Sequence, residues 1–187
     1  MGTATIVVLA VIGVLLLAVI VLYNRLVRAR IKVRQAWAQV DAQLQRRHDL
    51  IPNLVATVQG YAGHERAALD EVIAARATAL SIADPVTREA AEDALGASLS
   101  RLLAVSEAYP DLKADQRFAH LSEELRGTED RIAFARGFAN DRVARYRTLT
   151  DTLPGSLIAG PFGFPREELF ALEHERARRV PTVDLGG

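Results

Sequence analysis

Seventeen consecutive residues without a polar side chain, Ile6 to Leu22 (IVVLAVIGVLLLAVIVL), constrain this chain more than any other feature. Ala4 and Thr5 extend the run at one end and Tyr23 at the other. About 20 apolar residues in helix cross a hydrocarbon core of roughly 30 Å. In lipid the helix is obligatory, because each backbone N–H must find its acceptor inside the segment. No Lys or Arg precedes the run and no small-x-small cleavage site follows it, so the reading is an uncleaved anchor rather than a secretory signal. The expected membrane-spanning stretch, residues 1–23, is marked by Ile6, Val14 and Leu22 from end to end.

Charge then sets the expected orientation. Arg25, Arg28, Arg30, Lys32 and Arg34 are the only charged residues among the first 40, and acids outnumber bases by five in the rest of the neutral chain. A basic collar on one side of a span retains that side in the cytoplasm, which puts the N-terminus outside and the C-terminal domain in the cytoplasm of a single-pass protein. The collar could also meet anionic headgroups. An acidic body with one short basic segment argues against nucleic acid as a partner. The chain has no cysteine, which excludes disulfides and Cys-ligated metal centres.

The soluble part, residues 24–153, reads as an all-α helical bundle. Phe118, Leu125, Ile132, Ala139, Tyr146 and Leu153 recur every seven residues, with Leu121, Thr128, Ala135, Arg142 and Leu149 as the companion set. Together they make an a/d seam, interrupted at Thr128 and Arg142, on one helix from Asp111 to about Thr150. Val33, Val40 and Leu54, with Trp37, Leu44, Ile51 and Val58, give an earlier helix the same phase. Asp84-Pro85 reads as an N-cap and first-turn proline for a helix ending near Tyr109-Pro110.

Helix lengths choose among topologies. A reversal at Gly60-Tyr61-Ala62-Gly63, with Pro52 as a kink, yields four passes of roughly 55, 25, 35 and 60 Å that end near the membrane. An unbroken helix to Leu80, or a turn at Pro52, leaves the passes unmatched. The expectation is an antiparallel up-down-up-down four-helix bundle, with the two glycines supplying positive φ at the corner. The segment 154–164, PGSLIAGPFGF, is an uncharged loop. It either caps the bundle or touches the membrane through Phe162 and Phe164. Residues 165–180 read as a short amphipathic helix, and 181–187 as a disordered tail.

Motifs for catalysis are missing. Di-iron bundles use Glu-x-x-His, but the residues three before His48, His64, His120 and His174 are Gln45, Tyr61, Arg117 and Ala171. No H-E-x-x-H, G-x-S-x-G, G-x-G-x-x-G or P-loop occurs. His120 with Glu123 and Glu124 has the spacing of a weak two-ligand site but reads better as a solvated face. No catalytic, cofactor or metal residue is assigned, and no small-molecule substrate is expected. Polar density is higher around Arg46, Arg47, Asp49 and Asn53, and again around Glu107, Tyr109, Asp111 and Lys113. These are candidate interaction residues, against the alternative of solvated charge and intrahelical pairs.

The strings AWAQVDAQLQRRHDLIPNLVATVQGYAGHE (36–65), RLLAVSEAYPDLKADQRFAHLSEELRGTEDRIAFAR (101–136) and PGSLIAGPFGF (154–164) closely resemble the LemA family of bacterial membrane proteins. The resemblance covers residues 6–164. It implies an N-terminal membrane helix in the bacterial inner membrane and a four-helix antiparallel bundle. It also points to relatives in magnetosome-forming bacteria implicated in membrane organelle formation. It carries over no catalytic residue. Ala139 and Arg147 stand where relatives tend to have Tyr and Asn, so roles tied to those side chains do not transfer. The expected function is a membrane-anchored scaffold, with protein partners or copies of itself beside the lipid bilayer. Direct action on lipid is the alternative, and an enzyme of unrecognised class comes third.

Overall fold

The computed structural model describes residues 2–83 and 85–166, and every element among them is helical. The order is α1 (Thr3–Tyr61), α2 (Arg66–Ser81), α3 (Pro85–Ser106), α4 (Pro110–Ala114), α5 (Gln116–Asp151) and α6 (Ser156–Ala159). The expected cap at Asp84, the amphipathic helix 165–180 beyond Arg166 and the tail 181–187 lie outside the described residues. Two compact units divide the chain: Met1–Gln39 with Ala135–Gly187, and Val40–Phe134.

In the first unit, α1 begins with the apolar run, which is exposed from Ile6 to Val21 and partly covered only at Leu22. Beyond it the helix turns one face inward: Leu26, Val33 and Ala36 are buried. Val33 packs with Val143 and Tyr146 of α5, while Leu26 meets Ile158 and Ala159 of α6. Trp37 is half-buried beside Val33, and the fully covered position next to it belongs to Ala36. The seam places a small side chain where the helices approach and lets the indole lie along the margin.

In the second unit one core draws on all its helices: Ile51, Leu54 and Val58 of α1, Leu69 and Val72 of α2, Leu95, Leu99 and Leu102 of α3, Leu112 of α4, and Phe118 and Leu125 of α5. Each fully buried aliphatic side chain contributes roughly 1.5–3 kcal/mol of transfer free energy. Thr128 sits inside this seam with no exposure, because its hydroxyl donates to the Glu124 carbonyl at 2.7 Å and accepts from Arg131.

Two expectations are corrected here. The corner between α1 and α2 falls at 62–65, but Gly60 and Gly63 do not have positive φ, and among the described residues only Gly163 does. The chain turns instead without a positive φ, with the Ala62 N–H still bonded to the Val58 carbonyl and the Glu65 N–H to that of Ala62. The last helix also does not run unbroken from Asp111. Asp115 interrupts it by accepting from the N–H groups of Arg117 at 2.7 Å and Phe118 at 2.9 Å, the bonds of an N-cap. Leu112, six residues before Phe118, needs that change of phase to reach the core.

Candidate functional site

The densest polar chemistry lies inside the second unit. Arg47 on α1, 2% exposed, forks between two carboxylates. Nη2 donates to Glu92 of α3, at both its carboxylate and its main-chain carbonyl, and Nη1 donates to Glu129 of α5 at 2.8 Å. The other Glu92 oxygen lies 2.9 Å from His48 Nε2, and a carboxylate only accepts, so this nitrogen carries the proton. Burial pushes the Glu92 carboxyl up, but the His48 and Arg47 hydrogen bonds and the Arg47 charge outweigh it and hold the group below the ordinary carboxylate range.

The same helix contains Pro52, which lacks the N–H that would close on the His48 carbonyl one turn earlier. Arg76 of α2 supplies the missing donor, its Nε–H reaching that carbonyl at 3.0 Å. A cleft of about 410 Å³ opens beside the cluster, lined among others by Gly96, Leu103, Glu107, Arg126 and Glu129.

A second group gathers where α1, α2, α4 and α5 end or begin. Tyr61 donates to Asp115 at 2.9 Å and Tyr109 to Glu65 at 2.8 Å, while Lys113 pairs with Glu107. The carboxylate acceptors raise both phenols above their usual range. The N–H of Phe118, then the Tyr61 hydroxyl, lower Asp115, and Lys113 lowers Glu107.

The candidate interaction residues therefore separate. Arg47 is enclosed within the core. Arg46 is exposed and bonds Glu124 at 3.1 Å; Asp49 is exposed and accepts from Gln45; Asn53, Asp111, Glu107 and Lys113 face solvent, and Tyr109 is half-buried. His120 and Glu123 lie exposed on α5, and Glu124 is committed to Arg46. Reading the sequence missed Glu92, although Arg88, Glu92, Leu95, Leu99 and Leu102 follow helical seam spacing. A carboxylate in such a row needs a cation opposite, and that was the available signal.

In the first unit the loop after α5 folds back on α1. Gly155 approaches the Leu149 carbonyl so closely that a Cβ would overlap it, and Gly163 takes φ 66°. The segment is not wholly irregular, since α6 buries Ile158 and Ala159 against Leu26. Phe162 and Phe164 stack edge-on to Tyr23, with centroids at 5.3 and 5.6 Å. Their environments differ: Phe164 is half-buried against two core clusters, whereas Phe162 is 57% and Leu157 69% exposed. The Tyr146 hydroxyl fastens the loop's far end by donating to the Pro165 carbonyl at 2.9 Å.

The sequence model of the LemA family matches residues 36–185. The chain belongs to the LemA family. Over 86 residues it is 34% identical to the Magnetosome protein MamQ of Magnetospirillum gryphiswaldense, a match covering 46% of this chain and 30% of that one. Magnetosome protein MamQ 2 of Paramagnetospirillum magneticum is 34% identical over 80 residues, covering 43% of this chain and 29% of the relative. The chain thus spans less than a third of the curated relatives it matches. With one long, uncovered apolar helix, this LemA-family chain is a membrane-associated helical bundle.

Proposed function

We propose that the chain is a non-catalytic scaffold: a four-helix up-down-up-down bundle held at the inner membrane by residues 6–22, offering exposed helix faces to protein partners or to copies of itself. One observation carries this reading. The buried chemistry-bearing groups Arg47, His48 and Glu92 are bonded to one another, with Glu129 as a fourth member, and so brace three helices. A partner meets the exposed Arg46, Asp49 and Asn53 on α1 and Glu107, Asp111 and Lys113 near α4. Photo-crosslinkers placed at Asp49 and Asp111 in the full chain, activated in intact membranes and read by mass spectrometry, should capture a discrete protein or a second copy. Recovery of only uncrosslinked chain at both positions would overturn the scaffold reading.

A second reading, direct action on lipid, is favoured by the loop. Leu157 is exposed, and so is Phe162 beside Tyr23, directly after the apolar run, where a segment of the first unit would lie along the bilayer surface.

A further inference from the structure

The first unit brings cations from two distant stretches of sequence to one place. Arg25, Arg28 and Lys32 lie three and four residues apart on one face of α1, and Arg142 and Arg145 lie three apart on α5. Together they line an open groove of about 270 Å³ whose apolar part is Ala29 and Leu149. No carboxylate among the described residues forms an ion pair with Arg25, Arg28, Lys32 or Arg145. The acids nearest in sequence on these two helices are Asp141, exposed on α5, and Asp151, which lies 3.7 Å from Arg166. Arg142 is steered by Phe138, with its guanidinium carbon 4.4 Å from the ring centroid. Five like charges around one groove repel one another, and an anion placed among them relieves that repulsion. Guanidinium forks match the oxygens of a phosphate.

We infer that this groove binds the phosphate of an anionic phospholipid headgroup. The inference rests on the reading of residues 6–22 as the membrane span. Along α1, Arg25 and Arg28 lie roughly 5 and 9 Å beyond Leu22. A headgroup layer is roughly 5–8 Å thick on each side of the hydrocarbon, so Arg25 falls within it and Arg28 at its outer edge. Leu149 belongs to both the groove and the apolar cluster with Leu22 and Leu26, so a lipid seated with its phosphate among the cations has a continuous apolar path for its chains. A soluble anion would have no use for that path.

The α5 cations provide the test, because they lie more than 100 residues from the span and do not set its orientation. The full chain is reconstituted in nanodiscs of equimolar phosphatidylcholine and phosphatidylglycerol, released, and its retained lipids counted by native mass spectrometry. The parent should retain phosphatidylglycerol in preference. Arg142→Gln with Arg145→Gln should cut that preference about thirtyfold, as expected for two bases near an anionic surface. Arg142→Lys with Arg145→Lys should keep most of it. Arg66→Gln with Arg117→Gln, two exposed sites in the other unit, should leave it unchanged. If the double glutamine variant loses helical circular dichroism, Arg145→Gln alone, at an exposed position, makes the same comparison. An unchanged preference in the glutamine variant, or an equal loss in the Arg66/Arg117 control, overturns the site. Inorganic phosphate bound by the lipid-stripped chain as tightly as phosphatidylglycerol overturns the lipid assignment. Failure of the span is read separately, as release of the parent from membranes by alkaline wash.

Discussion

Arg47, Glu92 and Arg76 show how single side chains answer needs created elsewhere in the sequence. An ion pair removed from water repays its desolvation only as far as the remaining donors and acceptors are also met; Glu92 has both oxygens engaged, while the Arg47 Nε–H has no acceptor. Breaking the pair leaves Arg47 with Glu129 and the main-chain carbonyl of residue 92, so Glu92→Ala should cost about 3 kcal/mol, at the low end for a buried pair. The pH dependence follows the same group. Its folded-state carboxyl titrates below its unfolded value, so it contributes stability above about pH 4.3 that is lost as pH falls through the lower, folded value. Denaturant titrations across acid pH should show a steeper loss for the parent than for Glu92→Gln; parallel profiles would contradict the assignment. Arg76 gives a sharper test. Because Pro52 has no N–H, Arg76→Ala strands a buried carbonyl and should cost about 1–3 kcal/mol. In a Pro52→Ala background the helix supplies its own donor, and the cost of Arg76→Ala should shrink. A double-mutant cycle with no coupling would show that the bond does not compensate for the proline.

At the scale of elements, periodicity made the long helices legible and local chemistry set their ends. The seven-residue seam of α5 predicts burial at Phe118, Leu125, Ile132, Ala139 and Tyr146, and all five are buried; Leu153, the sixth, falls past the helix end and is exposed. The interruption at Asp115 was harder to see because the seam remains in phase after it. The loop 154–164 carries a prediction of its own. Phe162 and Phe164 are alike in sequence but not in surroundings, so their substitutions should separate. Phe164→Ser opens a defect in a packed cluster and should lower the melting temperature of the full chain. Phe162→Ser should leave it nearly unchanged. Since the chain has no cysteine, a dye on Phe162→Cys reports that site alone. In proteoliposomes with brominated acyl chains its emission should be quenched, while a dye on Ala77→Cys, exposed on α2, should stay bright. Equal brightness at both sites would assign the loop to capping only.

For the molecule as a whole, the all-helical class and the long apolar N-terminal helix were legible because both rest on patterns local to a few turns of helix. What stayed hidden depends on distant partners: Glu92 meets Arg47 across 45 residues, and Arg142 and Arg145 reach the α1 cations across more than 100. Neither spacing leaves a trace in a linear reading. Orientation is the property that joins the anchor to the rest. Five bases follow the apolar run within 12 residues of Leu22, close enough to act during insertion. The bases of α5 are too far along the chain to do so. A reporter fused after Gly187 should therefore be active as a cytoplasmic protein and silent as alkaline phosphatase. Replacing Arg25, Arg28, Arg30, Lys32 and Arg34 by Gln should give mixed orientation, seen as phosphatase activity appearing in part of the population. Replacing Arg142 and Arg145 should leave the fusion silent even though it empties one side of the groove. A parent fusion with full phosphatase activity would place the bundle outside the cytoplasm and remove the basis for the orientation. Phosphatase activity in the Arg142/Arg145 variant alone would mean that the groove, rather than the collar, holds the chain in its orientation.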